Sequence, residues 1–248
     1  MADDAPRPGP DAGRARLSGD VAVEHLHGPA EALHARVPDP ASGPALWVCH
    51  VASPTLVLGS TQPDDVVDVA VADAAGVGVA RRRSGGGAVL LWPGEHLWVD
   101  VVLPAGDRRW EADVSRASMA AGEWWVAALA ATATEAHDGG WTVHRGGADR
   151  EGPGRLLCMA GRGPGEVLAG GRKLVGISQR RTRAWCRIQC VVHRSLRLEL
   201  CAELLTGPAA GASLDVDALG GTITTLAAPP LGPGDDAVVA RLLAALTD

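Results

Sequence analysis

Apolar positions in this chain recur with period two over many short stretches and with a helical period over one long one. Runs at 46–51 and 55–58, split by Ser53-Pro54, predict two strands around a turn. Positions 64–75, ending before Gly76, predict a short helix. Further strands are predicted over 77–82, 88–91 and 96–103, parted by the Ser84-Gly85-Gly86-Gly87 turn and by Pro93-Gly94. From 111 to 137 the period changes: Val114, Ala117, Ala121, Trp124, Ala128 and Leu129 fall at helical spacing in an alanine-rich stretch, the mark of a long central helix. Beyond Gly139-Gly140 the strand period returns at 141–144, 155–159, 166–169, 173–179 and 184–192. The last run puts Cys186, Ile188, Cys190 and Val192 on one face and Arg187 and Gln189 on the other. Amphipathic helices are predicted over 196–205 and 235–246, with a Pro- and Gly-rich connection between them. Strands in runs with helices inserted, in place of strict βαβ alternation, give an α+β fold with a mixed, largely antiparallel sheet packed with helices.

Composition narrows this picture. Residues 1–19, rich in Pro, Gly and Ala, read as a disordered tail without the apolar core of a secretory signal, and 20–248 as one domain. No apolar run approaches the roughly 18 residues that cross a bilayer, so a cytoplasmic protein with no membrane partner is expected. A formal charge of −6 argues against a nucleic-acid partner, which needs a broad basic surface. Five cysteines, odd in number and without a CxxC pair, read as reduced thiols and not as a disulfide framework. The chain has no Phe, Tyr or Asn, and one Lys beside twenty-two Arg. A pressure that replaced lysine by arginine nearly everywhere leaves Lys173 where arginine will not serve, unless it is a chance survivor on the surface.

Three segments carry candidate chemistry. Arg81-Arg82-Arg83-Ser84-Gly85-Gly86-Gly87-Ala88-Val89 joins two predicted strands. Its glycines permit positive φ and close backbone approach, and its arginines and serine supply charge and a hydroxyl. Such a turn suits a phosphate or carboxylate, although a bare glycine triplet is also an ordinary hairpin. The second segment is Gly170-Gly171-Arg172-Lys173-Leu174-Val175-Gly176-Ile177-Ser178-Gln179-Arg180-Arg181, in which Lys173 enters a strand and can meet negative charge as it builds in a transition state. The third is Cys158, at the end of a predicted strand against a Gly-rich loop. It is either a reachable nucleophile fifteen positions before Lys173, whose ammonium would favour the thiolate, or a small buried hydrophobe. A zinc site from Cys186, Cys190 and His193 competes with a plain core face, so no metal site is assigned. Arg180, Arg181, Arg183 and Arg187 form a basic cluster that is either a solvated sheet edge or a docking patch for an acidic domain.

The first two segments together resemble the RRxSGGGAV and GxKxxGxAQR-like elements of the lipoate-protein ligase and lipoyl/octanoyl transferase family. Leu58-Gly59-Ser60-Thr61-Gln62 resembles that family's LGxxQ element. The resemblance covers roughly 21–193 and implies a biotin/lipoate-ligase-like catalytic domain with the acyl group in a tunnel beside the glycine triplet. Carried over by position, Arg81, Arg82, Ser84, Gly85, Gly86, Gly87, Ala88, Gly176, Ser178, Gln179 and Arg180 are substrate-binding, and Lys173 and Cys158 catalytic. The implied substrates are lipoate or octanoate, with ATP and Mg2+ for a ligase. The implied partners are lipoyl domains of 2-oxoacid dehydrogenase complexes or the glycine-cleavage protein, and acyl carrier protein for a transferase.

The resemblance leaves the branch open. The Gly85-Gly86-Gly87 triplet resembles ligases, which form an acyl-adenylate; Cys158 resembles transferases, which use a thioester. Gly165-Glu166 stands in place of the ligases' Asn-Asp pair, and Cys190-Val191 in place of a common His-Gly pair. The fifty-five residues after His193 are too few for the usual accessory domain of ligases. A non-catalytic acyl-binding relative is the third reading, and a retained sole lysine weighs against it.

Overall fold

The computed structural model describes residues 21–132, 140–149, 152–211, 213–226 and 235–248. The predicted tail, the end of the long helix past 132 and the Pro/Gly connection before 235 lie outside them. Among the described residues no helix is long and apolar enough to cross a membrane.

The largest element is a seven-stranded sheet. In spatial order it holds β1 (Ala22–Gly28), β2 (Ala45–Val51), β6 (His96–Pro104), β10 (Trp185–His193), β9 (Arg172–Arg181), β8 (Val167–Ala169) and β7 (Trp141–Val143). Only β1 and β2 run parallel; every other neighbouring pair is antiparallel. A three-stranded sheet lies against it, with β3 (Thr55–Leu58) between β4 (Gly78–Arg81), parallel, and β5 (Val89–Leu91), antiparallel. The predicted mixed, largely antiparallel α+β architecture is therefore the observed one.

Side-chain alternation sorts the layers. Leu97, Val99, Val101 and Leu103 of β6, with Leu46 and Val48 of β2 and Ile188, Cys190 and Val192 of β10, pack under α3 (Val114–Thr132) and α6 (Asp235–Thr247). The opposite face of the large sheet, with Trp47, Cys49, Trp98 and Val102, packs on α1 (Ala30–Ala35) and on Val57, Val89 and Leu91 of the small sheet. The small sheet's outer positions, Leu56, Leu58 and Leu90, are covered by α2 (Val69–Ala74), α4 (Leu198–Leu204) and α5 (Val216–Gly220). Central strands buried on both faces give near-continuous apolar runs, which is why β2 and β6 are legible from composition alone.

Several predicted elements differ. The 46–51 and 55–58 strands exist, but they enter different sheets and do not pair with each other. The 64–75 helix is a 3-10 turn at Asp64–Val66 followed by α2, whose N-terminus is capped by the Asp68 side chain accepting from the Val71 N–H. The 155–159 strand is absent. Gly152–Arg155 and Cys158–Ala160 are 3-10 turns, and only Leu157 bridges to Ala88. The Leu156-Leu157 pair that imitated a strand is buried by chain crossing, not by a ladder. In α3 the predicted face holds at Ala117, Ala121, Ala128 and Leu129, but its buried indole is Trp125, with Trp124 only partly covered, and Val114 is exposed. β1, α1 and α5 have no counterpart in the predicted pattern.

Candidate functional site

Sequence-distant segments meet where the two sheets face each other. The loop after β4 is organised by Arg82, which is buried and aims its guanidinium inward. It donates to the carbonyls of Val57 at 3.2 Å, Gly85 at 2.9 Å and Gly87 at 2.7 Å. Burial lowers its pKa, with the charge of Cys158 working against that shift. With the carbonyls of Gly85 and Gly87 held by Arg82, the N–H groups of Gly85, Gly86 and Gly87 make no hydrogen bond to the described chain. Gly86 has φ +100°, a left-handed value that favours glycine.

Two close approaches fix this loop. A Cβ on Gly59 would sit 1.9 Å from the Gly86 carbonyl oxygen, and one on Gly87 would lie 2.8 Å from the Cys158 nitrogen and the Gly154 oxygen. The Gln62 side chain accepts from the Gly59 N–H at 2.9 Å and donates to the carbonyls of Arg155 and Leu156. The LGxxQ element therefore ties the glycine loop to the segment that leads into Cys158. The Cys158 N–H donates to the Ala88 carbonyl at 2.8 Å, and the Ala88 N–H to Leu156 at 2.7 Å.

Lys173, at the start of β9, lines the site yet is 1% exposed. Its ammonium donates to the carbonyls of Cys158 at 2.7 Å and Gly161 at 2.9 Å, and pairs with Glu166 Oε1 at 2.6 Å. Three protons meet three acceptors. Glu166, also buried, accepts from the N–H of Gly163 at 2.7 Å and of Ile177 at 3.2 Å. The sole lysine is thus a fixed cation that ties the Cys158 turn to β9, and not a free arm in a cleft. Glu166 entered the sequence reading only as a departure from a motif; its partnership with Lys173 requires the fold.

Two cavities meet here. One is a narrow apolar slot of about 410 Å³, open mouth included, walled by Val89, Leu91, Trp98, Ile177, Cys190 and Val191, with His34, Arg82, Ser178 and Gln189 among its polar groups. The other is a wider polar chamber of about 1110 Å³, open mouth included, lined by Ser84, the three glycines, Ser115, Ser118, Asp149, Arg162, Glu166, Lys173 and Gln179. Cys158, Ile177 and Ser178 line both. Gly176 borders the slot, where a Cβ would press on Met159 at 3.3 Å. Ser178 shares a 3.1 Å hydrogen bond with Ser84, which also donates to Gln189 at 3.3 Å. Gln179 turns the other way and donates to Val114 and Ser118 of α3.

Behind the slot the charges are compensated. Arg187 is buried, donates to Asp100 at 2.7 Å and to the carbonyls of Leu33, His34 and Arg36. Burial raises the Asp100 carboxyl, against the pull of Arg187 and of hydrogen bonds including that from Trp98. His34 stacks on Trp98 at 4.3 Å and is pushed down to about 3 by burial and by Arg187 and Arg82, so the slot holds a neutral imidazole.

Other sequence candidates separate from the cavities. Arg81 lines neither; it donates to the carbonyls of Gly59 and Gln62 and pairs with Asp64. Arg180 also lines neither and lies over the Trp185 ring at 5.5 Å. Arg187 and Arg181 leave the proposed basic cluster: the first is buried, and the second donates to Glu111 and Ala112 and packs over Trp110. Cys186 and Cys190 lie on the α3 side of β10 and His193 on the opposite one, so they cannot converge on zinc. No group of three or more potential metal ligands is present among the described residues. Burial raises the thiols of Cys49, Cys186 and Cys190 and pushes Cys201 to about 12, which leaves them inert. Cys158 alone among the five is not fully buried.

The chain is similar in fold to a lipoate-protein ligase A bound with ATP, at 17% identity over 93% of this chain and 84% of that one, with a TM-score of 0.61. It is similar to a bi-partite lipoate protein ligase from Thermoplasma acidophilum, described with its E2 lipoyl domain, at 17% identity over 93% and 83%, with a TM-score of 0.62. A P. falciparum protein in complex with lipoate matches at 14% identity over 82% of this chain and 49% of that one, with a TM-score of 0.56. A comparison with curated sequences gives no match. The family model described as the lipoyl protein ligase A/B catalytic domain matches residues 29–246, and the chain belongs to that family.

Proposed function

We propose that the protein attaches lipoate or octanoate to a lysine of a lipoyl domain. The observation that carries this reading is that the apolar slot opens into the polar chamber at Cys158 and Ser178. An acyl chain in the slot would put its carboxyl end at that junction, within a chamber large enough for a second substrate. A structural neighbour described with bound lipoate and another described with its E2 lipoyl domain support the same substrate and partner.

For the route we favour the ATP-dependent ligase. The acyl carboxylate attacks the α-phosphorus of ATP and pyrophosphate leaves; the acceptor amine then attacks the acyl carbonyl, AMP leaves and the amine loses a proton. Gly85, Gly86 and Gly87 line the chamber with N–H groups that no described group engages, an arrangement that suits phosphate oxygens, and a neighbour is described with bound ATP. Of the chamber's carboxylates, Asp149 and Glu166, the second already pairs with Lys173. A Mg2+ would therefore be held mainly by nucleotide phosphates and water, as that ion commonly is.

The position of Cys158 favours a second reading. Its thiol at the junction would attack a carrier thioester, the carrier thiol would leave with the proton, and the acceptor amine would then attack the enzyme thioester, breaking its C–S bond and releasing the Cys158 thiol, which takes up the proton the amine loses. Lipoate-dependent ATP–pyrophosphate exchange, beside intact-mass measurement after incubation with octanoyl carrier protein, separates the routes. Exchange retained in Cys158→Ser is expected for the ligase; a thioester adduct lost in Cys158→Ser, with no exchange, overturns it in favour of the transferase.

A further inference from the structure

Eight arginines lie in or beside the two motif segments, and the structure engages four of them internally. Arg81, Arg82, Arg181 and Arg187 all spend their guanidinium groups on backbone carbonyls or carboxylates. Arg83, Arg180 and Arg183 do not: no carboxylate pairs with any of them among the described residues.

Their placement follows from strand geometry. Arg180 continues the row Gly176, Ser178 on one face of β9, and those two residues line the slot. Arg83 precedes Ser84, whose hydroxyl meets Ser178 at 3.1 Å, so the glycine loop brings Arg83 to the same rim. Arg183 lies exposed in the turn between β9 and β10. Arg83 lies near enough to Arg180 for its charge to act on that guanidinium. In a chain of net charge −6, an unpaired cationic rim beside the reaction chamber is a local reversal of sign. Like charges gathered without carboxylate partners weaken a fold, so the arrangement suits an anionic complement from outside. The three side chains line neither cavity, which points to a surface and not to a small molecule.

We infer that Arg83, Arg180 and Arg183 form a docking rim for an acidic face of the acceptor domain, steering its lysine toward the junction at Cys158 and Ser178. The inference rests on the acyl-transfer reading above. Rim charges act chiefly on association, so the effect belongs in KM for the macromolecular acceptor and in its salt dependence.

The test is transfer to a recombinant lipoyl domain of net negative charge, with the acyl-loading step followed separately as pyrophosphate exchange or enzyme thioester, whichever the wild type displays. Arg83→Glu/Arg183→Glu should lower kcat/KM for the domain by about tenfold or more, through KM, and the gap should narrow at about 0.3 M salt, while loading stays at the wild-type rate. Arg83→Lys/Arg183→Lys should retain most of the activity, which separates charge from folding. Unchanged transfer kinetics in the Glu variant overturn the docking rim. A parallel fall in loading overturns it too, by assigning these arginines to the small substrate. A wild-type enzyme that loads but modifies no lipoyl domain removes the underlying reading, and the rim with it.

Discussion

Removing one member of the Lys173–Glu166 pair measures how far this buried ion pair organises the site. Both side chains are nearly enclosed, at 2% and 4% exposure. Lys173→Met keeps the length of the chain but strands the Glu166 carboxylate with only the Gly163 and Ile177 N–H groups, and leaves the Cys158 and Gly161 carbonyls without their donor. Breaking a buried pair from one side costs about 3–5 kcal/mol. The lower half of that range is expected here, because the chamber admits water to part of the Lys173 shell. Glu166→Gln leaves the ammonium with two carbonyls and an amide oxygen, and should cost about 1–3 kcal/mol. If the two act as a charged pair, the double variant loses less than the sum of the singles, by about 2 kcal/mol. Urea denaturation of the four proteins, with equal m-values as the condition for comparison, gives that coupling directly. A coupling below about 0.5 kcal/mol would refute the pair as an energetic unit and reduce Lys173 to a backbone clamp.

Two further outcomes follow from contacts elsewhere. Gly59→Ala should force the Gly86 carbonyl out of its place, since the added carbon would lie 1.9 Å from it; a shift of about 1 Å in the loop should lower acyl transfer on the order of a hundredfold, and a near-normal rate would detach the loop from catalysis. Three histidines, the half-buried His34 and the buried His193 held down to about 3 and the buried His96 to about 4, all by burial first, stay neutral in the fold while the unfolded chain takes up protons below about 6.5. Each therefore withdraws stability as pH falls through that value, by up to about 2 kcal/mol at pH 5, with the raised Asp100 carboxyl acting in the opposite sense. Thermal melts between pH 7.5 and 5 should show a falling Tm and a shallower fall in His193→Gln; a Tm that is flat across this interval would contradict the neutral histidines.

The elements that could be read in advance are those whose signal is local. The glycine triplet must pass within a backbone's width of Gly59 and Cys158, and only glycine satisfies that in sequence as in space. The lysine strand and β10 advertise themselves by alternation, and the cores of β2 and β6 by unbroken apolar runs. What escaped is what distant segments create together. The slot's inner wall joins His34 of α1 to Trp98 of β6, and no pattern along the chain marks either. β1 hid because its sequence, AVEHLHG, buries only two of seven residues at the edge of the sheet. The 155–159 run imitates a strand because an apolar pair flanked by glycines has the same pattern whether it lies in a ladder or in a crossing turn.

The same distinction explains the retained lysine better than charge alone does. Arginine serves elsewhere in this chain, solvated or, as at Arg82 and Arg187, buried among acceptors spread out to meet a planar fork. At position 173 the acceptors are two carbonyls from the Cys158–Ala160 turn and its following glycine, and the carboxylate of Glu166, the residue before β8. They surround one nitrogen as three points about an ammonium, and a planar guanidinium directs its donors differently. Lys173 is also the residue through which the turn bearing Cys158 is joined to the strand bearing Ser178, so its geometry sets where the slot ends and the chamber begins. A substrate oxygen that approached the ammonium would have to displace one of its three present acceptors. The Cys158 carbonyl, only part-buried where the two cavities meet, is the acceptor open to such an exchange. On this account acyl binding and the placement of Cys158 are coupled through a single nitrogen, whichever chemical route follows.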